Sequence, residues 1–165
     1  MNHILKHLFD DIHYGVDARY RRIDELENID DKYLGHTVLQ YAIIKNRLQL
    51  VETLLQKGAN LSIKDYFGRD CLQIACVYAR HLIIEKLLQW GANPNTKNKS
   101  HQTAVMLICK GIYVSSRENR DKSLRILINH LKHEEQQHIY KRIILVIILR
   151  KKIAPSLIQK IGIYI

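Results

Sequence analysis

A chain of 165 residues is long enough for one domain with a continuous core, and an apolar content of 47% excludes a disordered chain. The net charge of +10 is unevenly spread. Residues 1–34 carry five Lys/Arg against eight Asp/Glu, residues 35–109 nine against four, and residues 110–165 twelve against four, so the two ends can steer different partners.

Three cysteines, an odd count without a CxxC pair, exclude a disulfide framework and a zinc ribbon. Cys76 and Cys109 fall at the same place in successive repeats, as small buried side chains would. Lys6 interrupts the apolar residues from Met1 to Phe9, which is not the pattern of a signal peptide. The longest apolar run, Ile143 to Leu149, is seven residues, against the roughly 20 a membrane helix needs. The chain is expected to be soluble, cytoplasmic and monomeric, with no membrane span.

In chain order, Ile4, Leu5, Leu8, Phe9 and Ile12 predict a helix over 3–14 that ends at Gly15. Asp17 opens a second helix through about Glu27, with Tyr20, Ile23 and Leu26 as its stripe. Together, residues 1–34 read as an acidic N-terminal helical cap.

From Gly35 the sequence repeats at a constant offset. Gly35 recurs as Gly68, Leu39 as Leu72, Ala42 as Ala75, Leu54-Leu55 as Leu87-Leu88, and Gly58-Ala59-Asn60 as Gly91-Ala92-Asn93. Each unit predicts a pair of helices: Val38–Lys45 with Leu48–Lys57, then Cys71–Tyr78 with Leu82–Trp90. Thr37 starts the first, and Asn46 and Ala79 stand at the reversals. Ala79 there costs about 1 kcal/mol. Gly58 and Gly91 end the second helices, and a tight turn falls at Tyr66-Phe67-Gly68. A degenerate third copy keeps Thr103, Val105 and Cys109 in register. Its Leu127-Ile128 lies further from Leu87-Leu88 than the period allows, so about seven residues are inserted around Tyr113 to Asn119. The units are 35–67, 68–100 and 101–133. Residues 134–165 read as helix again, a C-terminal cap with Ile139, Ile143 and Val146-Ile147 on its apolar face.

These repeats resemble ankyrin repeats, with the pattern G-x-T-P-L-H-x-A-A followed by V-x-x-L-L-x-x-G-A-D. Their offset is also the ankyrin period. The resemblance implies an all-α solenoid of paired antiparallel helices with helical caps. It departs from the pattern where Val38, Cys71 and Ala104 replace the proline, and Gln40, Gln73 and Met106 replace the histidine. That histidine supports neighbouring loops in the family. Gln40 and Gln73 can partly substitute for it and Met106 cannot, so looser loops and lower stability are expected toward the third copy.

The resemblance also implies a function without catalysis: protein binding through the finger tips and the concave inner-helix face. The candidate partner-binding residues are His36, Ile44, Lys45, Tyr66, Phe67, Arg69, Val77, Tyr78, Lys99, Gln102 and Lys110. Tyr66-Phe67 stands out, because adjacent aromatics at an exposed turn suit an interface anchor. Phe67 folding back over the neighbouring finger is the competing reading. Tyr78 and Lys45 occupy equivalent positions and can flank an acidic or polar segment.

The tail from Ile153 to Ile165 is similar to the opening helix of F-box domains, L-P-x-E-L-x-x-x-I-x-x-x-L. Ile153, Leu157, Ile161 and Ile165 match, while Ala154 and Ser156 depart from it. A truncated F-box-like segment of this kind, called PRANC in poxviruses, ends some viral and intracellular bacterial ankyrin proteins and recruits the host SCF ubiquitin ligase. On that reading Ile153, Pro155, Leu157, Ile158, Ile161 and Ile165 contact the ligase, and the chain is a substrate adaptor. The other reading is a helix packed on the end of the solenoid. The richness in Ile, Lys and Asn, taken with the family, suggests a pathogen protein aimed at a eukaryotic host.

Enzyme chemistry finds little footing. No GxGxxG, P-loop, GxSxG or HExxH is present. His3 with His7 and His130 with His133 each lack a third ligand, so no metal or cofactor is expected. The basic patches Lys141-Arg142 and Arg150-Lys151-Lys152 leave a reading of another class, nucleic-acid or anionic-surface binding. Only Tyr140 and Tyr164 lie near them, and no DNA-binding motif appears.

Overall fold

A computed structural model describes residues 3–15, 23–111 and 116–131. Helix α1 (His3–Tyr14) buries Leu5, Leu8, Phe9 and Ile12, and Gly15 leaves it at φ +76°. The predicted second helix does not run through Glu27. Ile23–Glu25 is a single 3₁₀ turn, closed by Leu26 N–H donating to the Ile23 carbonyl at 3.3 Å. Asp24 pairs with Lys57, and Asn28 Oδ1 accepts from Asp30 N–H at 3.0 Å, turning the chain away from a helical path. Residues 17–22 of the expected helix lie outside the described residues. A short hairpin follows that the sequence did not suggest: β1 (Lys32–Tyr33) pairs antiparallel with β2 (His36–Thr37). Its turn puts Leu34 and Gly35 at φ 51° and 81°, the positive pair that matches strand twist.

Recurring caps start the inner helices. At α2 (Val38–Ile44), Thr37 Oγ1 accepts from Gln40 N–H at 3.2 Å and Gln40 Oε1 from Thr37 N–H at 3.0 Å. At α4 (Cys71–Val77), Asp70 and Gln73 repeat this capping box at 2.9 and 3.3 Å. At α6 (Ala104–Lys110) the third residue is Met106, and the Thr103 hydroxyl is buried without a hydrogen bond among the described residues.

Helix ends recur equally. After α2, Asn46 (φ 59°) donates its N–H to the Ile43 carbonyl and Arg47 to that of Ala42; after α4, Ala79 (φ 49°) and Arg80 repeat the pair. After the outer helices α3 (Leu48–Gln56) and α5 (His81–Gln89), Gly58-Ala59 and Gly91-Ala92 make the same two bonds. All four are Schellman ends. Ala79 is 3% exposed whereas Asn46 is exposed. The apolar surroundings of Ala79 disfavour a polar side chain, and a small apolar one accepts the left-handed cost.

The inner helices α2, α4 and α6 pack side by side, with α1 on α2; α3, α5 and α7 (Arg117–His130) form the second layer. Leu39, Ala42, Val51, Leu54 and Leu55, their equivalents Leu72, Ala75, Ile84, Leu87 and Leu88, and Ile108 and Leu127 share one core. The described end of the insertion expected around Tyr113–Asn119 is helical. Arg117–Asn119 form the first turn of α7, where Ser116 Oγ accepts from Asn119 N–H at 3.4 Å. That helix is 14 residues long against nine for α5. Among the described residues no helix is long and apolar enough to cross a membrane.

Leu87 is fully buried in α5. Leu87→Ala is expected to destabilise the chain by about 2–5 kcal/mol through the cavity it opens, read by urea denaturation; an unchanged midpoint contradicts this packing.

Candidate functional site

The loops between units are fingers built on side chains that replace backbone partners. Asn28, Asn60 and Asn93 each accept, through Oδ1, the N–H two residues on, at 3.0, 2.8 and 2.9 Å. These are Asx turns. At the second finger's tip the buried Asp65 carboxylate accepts Phe67 N–H and Arg69 N–H, both at 2.9 Å, and pairs with the Arg69 guanidinium at 2.7 Å. Asn98 does the same work in the third finger, accepting Ser100 N–H at 3.0 Å and Gln102 N–H at 2.9 Å. Sequence reasoning passed over both residues. Their signal was an Asp and an Asn at equivalent repeat positions, each just before a turn.

Two buried glutamines tie the fingers to the helices. Gln40 Nε2 donates to the Ile63 carbonyl at 2.7 Å. Gln73 Nε2 donates to Thr96 at 2.8 Å and to Gln102 at 3.0 Å. They take up the loop-supporting task expected of them, and Met106 has no polar group with which to continue it. Lysines link the fingers laterally: Lys32 Nζ donates to the Lys64 carbonyl at 2.7 Å and Lys64 Nζ to the Lys97 carbonyl at 3.3 Å.

The tips carry one compact cluster. Tyr66 and Phe67 are 79% and 58% exposed, so Phe67 does not fold back over its neighbour. Their rings meet edge to face at 5.6 Å between centroids. The Lys99 ammonium lies over Tyr66 at 4.9 Å and the Arg69 guanidinium over Phe67 at 4.6 Å. Lys99 N–H donates to the Phe67 carbonyl at 3.2 Å. A Cβ at Gly68 would come within 2.9 Å of that nitrogen, at φ +74°, so only glycine allows the two fingers this approach.

The structure thus brings together Tyr66, Phe67, Arg69 and Lys99, with Gln102 at the base of the third finger and half-buried His36 in the first. Burial pushes the His36 imidazole below its ordinary range. The other candidates lie at the opposite ends of the inner helices, about 10 Å away along a seven-residue helix. Ile44 ends α2 and Lys45 follows it, its ammonium 5.4 Å from the Tyr41 ring. Tyr78 follows α4 and is half-buried beneath Arg80. Lys110 ends α6 and is exposed. Val77 is 2% exposed and is no surface residue. Its helix is flanked by α2 and α6 and backed by α5, so α4 is buried along its whole length. Ile153, Pro155, Leu157, Ile158, Ile161 and Ile165 lie outside the described residues, as do Lys141, Arg142 and the basic run from Arg150.

Little here is poised for chemistry. Burial pushes the Cys71 and Cys76 thiols far up from their ordinary range, so neither is a ready thiolate. His3 and His7 face each other, Nε2 to Nε2, at 3.2 Å. Among the described residues no group of three His, Cys, Asp or Glu could hold a metal ion.

Among known families, the one described as ankyrin repeats in three copies matches residues 2–98, more than half the chain. The match begins within the segment read as an N-terminal cap and stops before the degenerate third copy. No curated protein matches the chain.

Asp70 gives this region a pH signature. Burial raises its carboxyl above the ordinary 3.8, against the opposing pull of the Thr96 hydroxyl and the Gln73 N–H. A raised folded-state pKa means that the ionised form costs stability above that value, and the cost vanishes below 3.8. Asp70→Asn keeps an N-cap oxygen. Its stability relative to the parent is therefore expected to rise between acid and neutral pH, followed by denaturation at each pH; a gap that narrows contradicts the assignment.

Proposed function

The chain belongs to the ankyrin-repeat family, whose repeats are typically non-catalytic protein–protein interaction modules, and on that premise we propose that it binds a protein partner through the tips of its second and third fingers. The observation that carries this reading is the Tyr66–Phe67 pair, mostly exposed yet held in place by Asp65, Arg69 and Lys99. Exposed aromatic side chains in water are costly to hydrate and give back that free energy at an interface, where Tyr and Trp anchors dominate. A fixed anchor also loses little conformational entropy on binding.

The far ends of the inner helices, with Ile44, Lys45, Tyr78 and Lys110, extend the same surface where a partner is long enough to reach across a helix. The adaptor reading of residues 153–165 adds a ligase-recruiting tail to the same module, supported by the spacing of Ile153, Leu157, Ile161 and Ile165.

Both readings meet in one experiment: affinity capture from eukaryotic cell lysate, read by mass spectrometry, with the full chain, the Tyr66→Ala/Phe67→Ala variant and a chain ending at Lys152. The double variant is expected to melt as the parent does and to lose the captured proteins by roughly ten-fold or more, about 1.4 kcal/mol. Capture that is untouched removes the finger tips from the site. Ligase subunits that depend on the tail support the adaptor; their absence from all three leaves a plain binding module.

A further inference from the structure

We propose, resting on that protein-binding reading, that the segment held by the fingers is an acidic peptide extended in a polyproline-II-like conformation, with Asp or Glu about three residues apart beside an aliphatic or aromatic anchor.

Charge comes first. The two carboxylates of the second finger both point inward. Asp65 has no exposed side-chain surface and is taken up by Arg69 and two backbone amides. Asp70 is buried against Thr96 and Gln73. What the second and third fingers show to solvent is Lys64, Lys97 and Lys99. Among the described residues the ion pairs are Lys57–Asp24, Arg69–Asp65, Lys86–Glu52 and Lys122–Glu118, and none of them neutralises these three lysines. The second finger's two carboxylates are consumed by the fold and the third finger has none, so the two fingers show solvent a surface of one sign.

The aromatic pair decides between ligand classes. Tyr66 and Phe67 each already have a cation over the ring, Lys99 and Arg69. A cationic ligand seeking an aromatic cage would have to displace them against like charge. Nucleobases stacking on the rings would compete for the same faces. An apolar side chain has no such conflict, since it can pack on the exposed ring edges while carboxylates meet Lys99 and its neighbours.

Spacing completes the match. Lys64 and Lys97 occupy equivalent finger positions and Lys32 lies one residue off that register, with Lys32 bonded to the Lys64 carbonyl and Lys64 to that of Lys97. An ammonium has three donors, so each keeps two for a ligand. Neighbouring units stack about 8–10 Å apart, and a chain in the polyproline-II conformation advances about 3.1 Å per residue and returns its side chains to the same side every third one. One acidic side chain in three therefore meets successive lysines.

The test is selection of a random dodecapeptide phage library on the full chain at physiological salt, followed by binding of the selected peptides to Lys64→Glu/Lys97→Glu and to Lys64→Gln/Lys97→Gln. Expected are peptides enriched in Asp/Glu at three-residue spacing around an apolar residue. Their affinity should fall roughly ten-fold with the glutamine pair and further with the glutamate pair, with melting unchanged for the glutamine pair. Selected peptides without acidic enrichment overturn the inference. So do acidic peptides indifferent to both finger variants but lost on Lys141→Glu/Arg142→Glu, and so does an oligothymidylate that displaces the peptides at the fingers. Lysate capture that still depends on Tyr66 and Phe67 while the library shows no acidic bias defeats only this inference and leaves protein binding standing.

Discussion

Everything at the finger end of the stack depends on a buried amide. A glutamine side chain taken out of water must find partners for its oxygen and its two N–H groups, or it costs about 1–3 kcal/mol for each unmet bond. Gln73 finds them on both sides. Its oxygen accepts the Asp70 N–H at the start of its own helix, and its nitrogen donates to Thr96 and Gln102 in the following finger. One unit earlier, Gln40 accepts the Thr37 N–H and donates to the Ile63 carbonyl. Helix start and loop position are thereby one cooperative arrangement, and each of these two inner helices fixes the finger that follows it. With Met106 in the corresponding place and the Thr103 hydroxyl without a partner among the described residues, the ladder ends at the third finger.

That arrangement explains why exposed aromatics can be tolerated. A flexible loop carrying Tyr and Phe would collapse them onto the nearest apolar surface. Here Asp65 and Asn98 bind successive backbone amides, Gly68 lets the third finger approach, and Lys99 bonds to the Phe67 carbonyl while covering Tyr66. The rings are held outward by polar bonds on the inner side of the turn. A binding surface built this way is set before any partner arrives, and rigid repeats supply it without a cleft.

Much of this was legible in the residues. The repeat period, the left-handed Asn46 and Ala79 and the glycine ends follow from local rules and repetition, and the role of Gln40 and Gln73 from the resemblance to the family pattern. What escaped has physical reasons. Two-residue strands such as Lys32–Tyr33 are too short to show a period. The single turn at Ile23–Glu25 is decided by distant Lys57 and by Asn28, and not by its own apolar spacing. Val77 looks like a variable surface position until both neighbouring inner helices are in place. The added residues from Arg117 belong to α7 because Ser116 caps them, a signal that counting the offset between repeats does not use. The cation–ring contacts of the cluster join residues of neighbouring repeats, Tyr66 with Lys99, which only the stacking reveals.

Hydrogen exchange tests the central claim most directly. In Gln73→Met, which copies the side chain found at the corresponding place in the third unit, backbone amides of residues 93–103 are expected to exchange about ten-fold faster. Those of α2 and α3 should exchange as in the parent. Unchanged protection across the third finger, or loss spread evenly over the stack, would show that the fingers are held by something other than the buried glutamine.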